Sequence, residues 1–272
     1  MDDKIFDDII ALVTKQTGII PRESHKTGIK NFIDKRCKEL NLATFADYYE
    51  YLNKKPNEFC FFINGATVNE TYFFREEAQF TLLKEKILPE LRKTAIGKPI
   101  RFWSAAASSG EEIYSLYLLA TSMGLRTECF ASDINTDVLE KCASGKYGAN
   151  SVRALDGAKF QNLLSPYHDN EKNIVLPERI TSKIERKQIN LSKREAIFPT
   201  NVHIVFVRNV FIYFTLELRK QIIEKIVSTS LLPGGYMFVS MNETALLGNS
   251  ILPKNLKKCS DGKIFYFQKT NE

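Results

Sequence analysis

The stretch at residues 101–116 limits the possible folds more than any other part of the sequence. Its apolar run, residues 102–107, predicts a buried strand, and the small residues at 108–110 predict a tight turn. Glu111 then begins a segment whose apolar residues recur at helical spacing. A strand, a small-residue loop and a helix N-terminus in this order are typical of α/β folds in which a nucleotide-like ligand approaches the backbone closely.

Two adjacent carboxylates, Glu111 and Glu112, follow that loop. An acid at this position would repel a phosphate, so the pattern favours a ligand that carries a cationic amino group. S-adenosylmethionine, with its ammonium and sulfonium charges, fits better than a dinucleotide or ATP. The alternative is that both glutamates are first-turn acids favoured by the helix dipole, and a loop with one glycine does not decide between the two.

Composition limits the class of protein. The chain has 272 residues, of which 44% are hydrophobic and 26% are charged, as expected for a soluble globular protein. No apolar run approaches the ~20 residues that span a bilayer, and the N-terminus lacks the apolar segment of a signal peptide, which favours the cytosol. The net charge of +6 favours an acidic partner, either nucleic acid or a protein surface.

The cysteines and histidines argue against two kinds of chemistry. The five cysteines include no Cys-x-x-Cys pair, and no histidine stands at metal-ligand spacing from a cysteine. We therefore expect no metal site and no Cys–His nucleophile. The residues concerned are Cys37, Cys60, Cys129, Cys142, Cys259, His25, His168 and His203.

Residues 1 to about 90 are predicted to be helical. Apolar residues recur at helical spacing in residues 6–13, 29–40 and 45–52, and Thr44 can cap the third helix. The second helix carries basic residues on its other faces, which form either a solvated face or a docking surface for an acidic partner. They are Lys30, Lys35, Arg36 and Lys38.

Residues 69–75 read Asn-Glu-Thr-Tyr-Phe-Phe-Arg. Asn69 or Thr71 can cap the helix that follows. Two aromatic residues followed by Arg75 are a less usual arrangement. Residues 96–99 then predict a linker into the first strand.

From there strands and helices alternate. The second strand, residues 127–132, leads to Asp133, where doubly wound sheets hold ribose hydroxyls; Asp133 could instead cap the helix at 135–143. Later strands are predicted at 184–191, 203–207, 237–241 and 264–268, and residues 145 to about 182 predict a small insert. The alternation predicts an α/β fold with a mostly parallel sheet, helices on both faces and room for an antiparallel edge.

With these motifs together, the chain resembles the CheR family of chemotaxis receptor methyltransferases, which are S-adenosylmethionine-dependent protein-glutamate O-methyltransferases. The resemblance runs nearly end to end, and six motifs stand in the family's order and spacing. They are Asn69-Glu-Thr-Tyr-Phe-Phe-Arg-Glu, Trp103-Ser-Ala-Ala-Ala-Ser-Ser-Gly-Glu-Glu-Ile-Tyr-Ser, Ala131-Ser-Asp-Ile-Asn, Asn190-Leu191, Arg208-Asn-Val-Phe-Ile-Tyr-Phe and Leu232-Pro-Gly-Gly-Tyr.

The resemblance implies an all-helical domain at residues 1–90 and a Rossmann-like class I methyltransferase domain at 91–272, with a small β-subdomain inserted at about 145–185. Arg75 and Tyr213 are implied to lie nearest the transferred methyl group. The residues implied to contact S-adenosylmethionine, or its product S-adenosylhomocysteine, are Asn69, Thr71, Arg75, Ala105, Glu111, Asp133, Asn190, Leu191, Arg208 and Asn209.

Two departures from the family stand out. Ile113 occupies a position that is usually proline, which concerns the geometry of the helix start. Some members bind a receptor C-terminal pentapeptide through a glycine-bearing hairpin of the β-subdomain, whereas residues 167–173 here contain no glycine. This favours an enzyme that does not depend on the pentapeptide.

The implied reaction suits the residues present. A glutamate carboxylate has a reference pKa near ~4.3 and is already ionised at neutral pH, so the reaction needs no general base. The enzyme must hold one carboxylate oxygen about 3–3.5 Å from the methyl group, and Arg75 and Tyr213 can orient it. We expect a monomer that docks on the helical bundle of a chemoreceptor through Lys30, Lys35, Arg36 and Lys38.

Two other functions are weighed against this one. A nucleic-acid methyltransferase of this fold commonly carries Asn/Asp-Pro-Pro-aromatic after the fourth strand, where this chain has Arg208-Asn-Val-Phe. A signalling module that binds the cofactor without turnover would show tight cofactor binding and no methyl transfer.

Overall fold

Four helices form a bundle at the N-terminal end of the computed structural model, which describes residues 2–153 and 159–270. The helices are α1 (Asp2–Thr17), α2 (Glu23–Glu39), α3 (Phe45–Lys54) and α4 (Pro56–Ala66). Their apolar faces meet in one core that includes Ile9, Ile33, Tyr48 and Phe62. The bundle confirms the helical N-terminal region, and α4 adds a helix that begins at a proline, which is well placed in the first turn.

A partly buried ion pair holds α2 to α4. Arg36 donates from Nε to Oε1 of Glu58 at 2.8 Å and from Nη2 to Oε2 at 2.7 Å. The hydroxyl of Tyr48 donates to the same carboxylate at 3.0 Å, and Glu58 is buried. Arg36, one of the four basic residues of the predicted docking surface, is therefore part of the bundle's internal structure.

The next helical segment packs against the sheet. Helix α5 (Glu77–Leu82) continues through a π-helical turn (Leu83–Ile87) into α6 (Leu88–Thr94). Its apolar residues, such as Phe80 and Leu83, share a core with Phe102 and Phe206 of the sheet. Along the chain, Ile63 is the last buried residue of the bundle core, and Phe73 is the first buried residue of the core beside the sheet.

The central sheet has seven strands, β1 (Ile100–Ser104), β2 (Thr127–Asp133), β5 (Ile184–Gln188), β6 (Val202–Phe206), β7 (Leu231–Phe238), β8 (Leu256–Asp261) and β9 (Ile264–Lys269). Their order in the sheet is β5-β2-β1-β6-β7-β9-β8. The first five in this order run parallel, and β9 pairs antiparallel with both β7 and β8. The predicted mostly parallel sheet with an antiparallel edge is confirmed.

Helices cover both faces of this sheet. Successive side chains of a strand point to opposite faces, so Phe102 joins the core formed with α5, α6 and α7 (Glu111–Ser122), while Trp103 joins the core on the other side. That second core includes Ile222 and Ile223 of α11 (Leu216–Lys225). Helix α8 (Thr136–Ser144) follows β2. The α/β Rossmann-like fold is confirmed.

A small unit interrupts the alternation after α8, within the predicted insert at 145–185. Strands β3 (Lys146–Tyr147) and β4 (Ile174–Val175) pair antiparallel, and two short helices lie nearby, α9 (Gln161–Leu164) and α10 (Glu178–Thr181). Its turn is closed by Asp169, whose Oδ1 accepts from the backbone N–H of Glu171 and Asn173. Residues 154–158 of the insert lie outside the described residues.

No helix within residues 2–153 and 159–270 combines the length and the apolar character needed to cross a bilayer.

Candidate functional site

A cleft of about 1100 Å³, counting its open mouth, lies between the helical bundle and the carboxyl ends of β1, β2 and β6. This is the edge at which doubly wound sheets bind ligands. Most of the residues singled out from the sequence line it. They are Asn69, Thr71, Arg75, Ala105, Asp133, Asn190, Leu191, Arg208, Asn209 and Tyr213.

The loop between β1 and α7 forms one wall of the cleft. The backbone N–H of Ala107 donates to Ser132 O at 2.9 Å, which ties the loop to β2. Gly110 has φ +94°, and a Cβ there would stand 2.3 Å from the Sγ of Cys142. The loop therefore needs glycine at this position, both for its backbone conformation and for its close contact with α8.

Asp133 ends β2 and faces the cleft. Its Oδ2 accepts the backbone N–H of Ser108 at 2.9 Å and its Oδ1 accepts that of Asn135 at 3.0 Å. Burial raises the pKa of the Asp133 carboxyl above its ordinary value, and these two hydrogen bonds oppose the rise. Helix α8 is capped by the side chain of Asn135, so the alternative role of Asp133 as the cap of this helix is not needed.

The two glutamates that open α7 point to different places. Glu111 is buried beneath the loop, where it accepts from the hydroxyl of Ser151 at 2.6 Å and that of Ser109 at 2.7 Å. Glu112 lines the cleft, and Glu111 does not. The resemblance implied that Glu111 contacts the cofactor, but successive helix residues point about 100° apart, and it is Glu112 that faces the cleft.

Glu112 and Arg208 form an ion pair at the base of the cleft. The Nε of Arg208 lies 3.2 Å from Oε2 of Glu112, and their side chains are 2% and 13% exposed. Ser104 donates to Oε1 of Glu112 at 2.5 Å. Burial raises the pKa of the Glu112 carboxyl, while the positive charge of Arg208 and the hydrogen bond from Ser104 oppose this.

Arg208 is held in place by two further acceptors. Nη1 donates to Oε1 of Gln79 at 2.9 Å and Nη2 donates to the carbonyl of Arg75 at 2.7 Å. Gln79 is fully buried and its Nε2 donates to Val239 O, so it links α5 to the end of β7. Within the described residues, the Nε of Arg208 is buried and faces Glu112 without an aligned hydrogen-bond acceptor.

The segment that carries Arg75 closes the cleft from the side of the bundle. Nη1 of Arg75 donates to the carbonyl of Glu70 at 2.7 Å, which folds the side chain back over its own loop. The hydroxyl of Ser108 donates to the carbonyl of Asn69 at 3.1 Å. This contact joins the segment to the loop that follows β1.

Asn190 and Leu191 form the wall at the end of β5. The side chain of Asn190 donates to Gln16 O at 3.0 Å, at the end of α1, and accepts from the backbone N–H and the hydroxyl of Ser192. Leu191 is buried in the core beside Trp103. Asn190 therefore connects the bundle to the cleft through its side chain.

A buried carboxylate holds the loop that presents Tyr213. Glu243 is fully buried and accepts the backbone N–H of Asn209 at 2.6 Å and of Ile212 at 3.2 Å. It also accepts the backbone N–H of Ser240 at 3.2 Å, as in a capping box, and the hydroxyl of Ser240 at 2.9 Å. Asn209 adopts φ +57°, a conformation that this side chain tolerates better than most.

Three site residues were missed in the sequence analysis. Glu112 was considered together with Glu111 but was not assigned to the cofactor. Gln79 stands in a segment with apolar residues at helical spacing, and no pattern in the sequence marks it as a site residue. Glu243 did carry one, because Ser240 and Glu243 stand at the spacing of a capping box. That pattern predicts a helix start and says nothing of the loop that the glutamate also anchors.

Comparisons with known proteins agree with this geometry. The model of the CheR methyltransferase all-alpha domain matches residues 4–67, and that of the CheR methyltransferase SAM binding domain matches residues 69–258. Chemotaxis protein methyltransferase 2 of Pseudomonas aeruginosa is 31% identical over 243 residues, which cover 88% of this chain and 85% of that protein.

Two further relatives match over a similar extent. The chemotaxis protein methyltransferase of Salmonella typhimurium is 32% identical over 250 residues, 89% of this chain and 84% of that protein. Chemotaxis protein methyltransferase 2 of Vibrio cholerae is 33% identical over 238 residues, 85% of this chain and 82% of that protein. The chain belongs to the CheR methyltransferase family, and it is an S-adenosylmethionine-dependent methyltransferase.

Proposed function

We propose that this enzyme transfers the methyl group of S-adenosylmethionine to glutamate side chains of chemoreceptors and so forms glutamate methyl esters. The observation that carries the proposal is the meeting of Arg75 and Tyr213 at one cleft with the acidic pair Glu112 and Asp133. The acids suit a cationic, ribose-bearing cofactor, and the arginine with the phenol suits a carboxylate. The relatives above are named chemotaxis protein methyltransferases.

The groups lining the cleft fit S-adenosylmethionine. Each oxygen of Asp133 accepts one backbone N–H and keeps a lone pair for a ribose hydroxyl. Glu112 offers a carboxylate for the ammonium group, in place of the Glu111 of the sequence analysis. Arg208 lines the cleft and brings a positive charge to its base for the methionine carboxylate. Asn69, Thr71, Ala105, Asn190, Leu191 and Asn209 supply the remaining surface.

When bound, S-adenosylmethionine supplies an electrophilic methyl carbon on a sulfonium sulfur. Arg75 and Tyr213 would hold the receiving carboxylate in line with that carbon. Burial raises the pKa of the Tyr213 hydroxyl, so it stays protonated and can donate. A glutamate is ionised at neutral pH, and the site therefore has to orient a nucleophile rather than deprotonate one.

Cofactor affinity should depend on pH through Glu112. The pKa of this carboxyl is raised by burial, and only the ionised form attracts an ammonium group. We expect the affinity for S-adenosylhomocysteine to be constant above the raised pKa and to fall as the pH is lowered through it. Titration calorimetry across the weakly acid range measures this.

Burial also raises the pKa of the Asp133 carboxyl. A variant of Glu112 is therefore needed to separate the titration of the two carboxyl groups. Glu112→Gln should bind S-adenosylhomocysteine about tenfold more weakly at neutral pH, the loss of one charge-assisted hydrogen bond, and show a smaller pH dependence. An unchanged pH profile in Glu112→Gln would assign the whole dependence to Asp133 and remove Glu112 from ammonium binding.

Receptor docking is proposed on α2, beside the mouth of the cleft. His25, in the first turn of α2, lines the cleft, and Lys30, Lys35 and Lys38 lie further along this helix. Lys30 pairs with Asp3 at 3.2 Å and Lys35 with Glu39 at 3.7 Å, both at exposed positions where such pairs contribute little. Arg36 is left out because it holds Glu58.

Reversing three charges should weaken receptor binding. For Lys30→Glu, Lys35→Glu and Lys38→Glu combined, we expect KM for a receptor fragment to rise about tenfold at low salt, with kcat unchanged, and the difference to shrink as salt is added. The matched control is reversal of Lys93, Lys98 and Lys263, which are all exposed and lie outside α2. Equal effects of the two triple variants would contradict docking on α2.

We propose that the active form is a monomer acting in the cytosol without a receptor tether. One chain supplies both walls of the cleft. The turn of the insert, closed by Asp169 without glycine, differs from the hairpin through which some family members bind a pentapeptide. Receptor methylation that is unaffected by deletion of the receptor's C-terminal residues would support this part.

Peptide mapping tests the proposed function. The enzyme is incubated with S-adenosylmethionine and the cytoplasmic fragment of a chemoreceptor from the same organism, and the digest is analysed by mass spectrometry. We expect added methyl groups on glutamate side chains of the helical bundle. Methyl groups found on other residue types, or none on any receptor fragment of the organism, would contradict the proposal.

A further inference from the structure

Two guanidinium groups flank one tyrosine ring at the rim of the cleft. Tyr72 and Arg75 both line the cleft, and Arg75 lies 5.6 Å from the centroid of the Tyr72 ring. Arg153, from the insert, lies 4.7 Å from the same centroid. The ring holds the two cations close together, and cation–π attraction favours the arrangement.

Arg153 already binds one carboxylate of this chain. Nη2 of Arg153 donates to Oε1 of Glu70 at 2.5 Å, and the two side chains are 42% and 61% exposed. Among residues 2–153 and 159–270, Glu70 is the one acceptor bonded to this guanidinium, which has five N–H donors. Arg153 therefore presents further donors to solvent, beside the residue proposed to orient the reacting glutamate.

We propose that Arg153 is a specificity-determining residue that binds a second carboxylate of the receptor, within one helical turn of the glutamate that is methylated. The inference rests on the proposed function and deepens it, because it names what surrounds the preferred glutamate. Arg153 touches neither the cofactor nor the reacting carboxylate.

The shared aromatic ring supports this assignment, because both guanidinium groups lie against Tyr72. Side chains three or four residues apart on a helix have Cβ atoms about 5–6 Å apart. A receptor helix with one glutamate at Arg75 and an acid one turn away can reach Arg153 across the Tyr72 ring. The Glu70 carboxylate accepts from Arg153, whereas Arg75 donates to the backbone carbonyl of Glu70. Two guanidinium charges beside this one carboxylate favour an acid over an amide on the receptor helix.

Two synthetic helical peptides test the proposal. They are identical apart from the positions three and four residues to either side of a central glutamate, which are glutamate in one peptide and glutamine in the other. Fluorescence anisotropy measures their binding to the whole enzyme. We expect the acidic peptide to bind about fivefold more tightly at low salt, and this preference to disappear in Arg153→Ala.

Controls separate Arg153 from a general effect of charge. Arg153→Lys should keep part of the preference, and Arg126→Ala, an exposed arginine on another part of the surface, should keep all of it. Unchanged binding of S-adenosylhomocysteine to Arg153→Ala shows that the site is intact. A preference that survives in Arg153→Ala, or equal binding of both peptides to the natural enzyme, overturns the proposal. Methylation of both peptides at equal rates would do so while leaving the proposed function standing.

Discussion

Replacing Arg208 with methionine should lower the free energy of unfolding by about 3–5 kcal/mol, the usual cost of breaking a buried ion pair from one side. The change leaves the largely buried Glu112 carboxylate without its partner. It also removes the donors to Gln79 and to the carbonyl of Arg75. Urea denaturation monitored by circular dichroism measures the loss.

Two further variants test whether the unpaired Glu112 carboxylate causes the loss of stability. Arg208→Met combined with Glu112→Gln should recover part of the stability, because an amide costs less to bury than an unpaired carboxylate. Arg126→Met removes an exposed arginine and should change the unfolding free energy by less than about 0.5 kcal/mol. A loss below about 1 kcal/mol in Arg208→Met would show that the pair does not hold the cleft together.

Replacing Arg75 with methionine should lower kcat for receptor methylation about 100-fold. We expect this size because misplacing a reacting group by about 1 Å can cost that factor, and Arg75 is proposed to fix the receiving carboxylate. The Arg75 side chain is itself fixed by its hydrogen bond to Glu70 O and lies over the Tyr72 ring. Steady-state kinetics with labelled S-adenosylmethionine measure kcat and KM separately.

Matched variants show whether the arginine acts by geometry or by charge alone. Arg75→Lys keeps the charge but loses the planar fork of donors, and should recover only part of kcat. Tyr213→Phe removes one hydrogen bond and should lower kcat about tenfold. A kcat within threefold of the natural enzyme in Arg75→Met would contradict its role beside the transferred methyl group.

Local sequence patterns were sufficient to predict the strand and the helix on either side of the loop that forms one wall of the cleft. The apolar run at 102–107 and the helical spacing after Glu111 predicted β1 and α7, which lie at Ile100–Ser104 and Glu111–Ser122. The orientation of the two glutamates could not be predicted in this way. It depends on the rotation of α7 about its axis, which the left-handed backbone of Gly110 and its contact with Cys142 set.

The network around Arg208 depends on the order of the strands. Ser104 and Phe206 are paired neighbours in the sheet because β1 lies next to β6, and this places Glu112 beside Arg208. Gln79 reaches the same point from a helix that is distant in sequence. Spacing along the chain contains no information on either contact, so the motif predicted that Arg208 matters without predicting its partners.

The basic residues of α2 show the opposite limitation. A pattern of four cations on one helix predicted a common role, yet Arg36 is bonded to the buried Glu58 while Lys35 is exposed. Glu58 lies 22 residues away and on a different helix. The four residues are equivalent in the sequence, because a sequence shows which residues are charged but not which charges are buried.

The most direct test of the central claim is the chemical stability of the methyl product. The enzyme is given labelled S-adenosylmethionine and a receptor cytoplasmic fragment, and the modified fragment is treated with mild base. We expect the label to be released as methanol, because a glutamate methyl ester hydrolyses under these conditions. Label that stays on the protein would mean methylation of nitrogen, and would contradict the assignment of Arg75 and Tyr213 to a carboxylate.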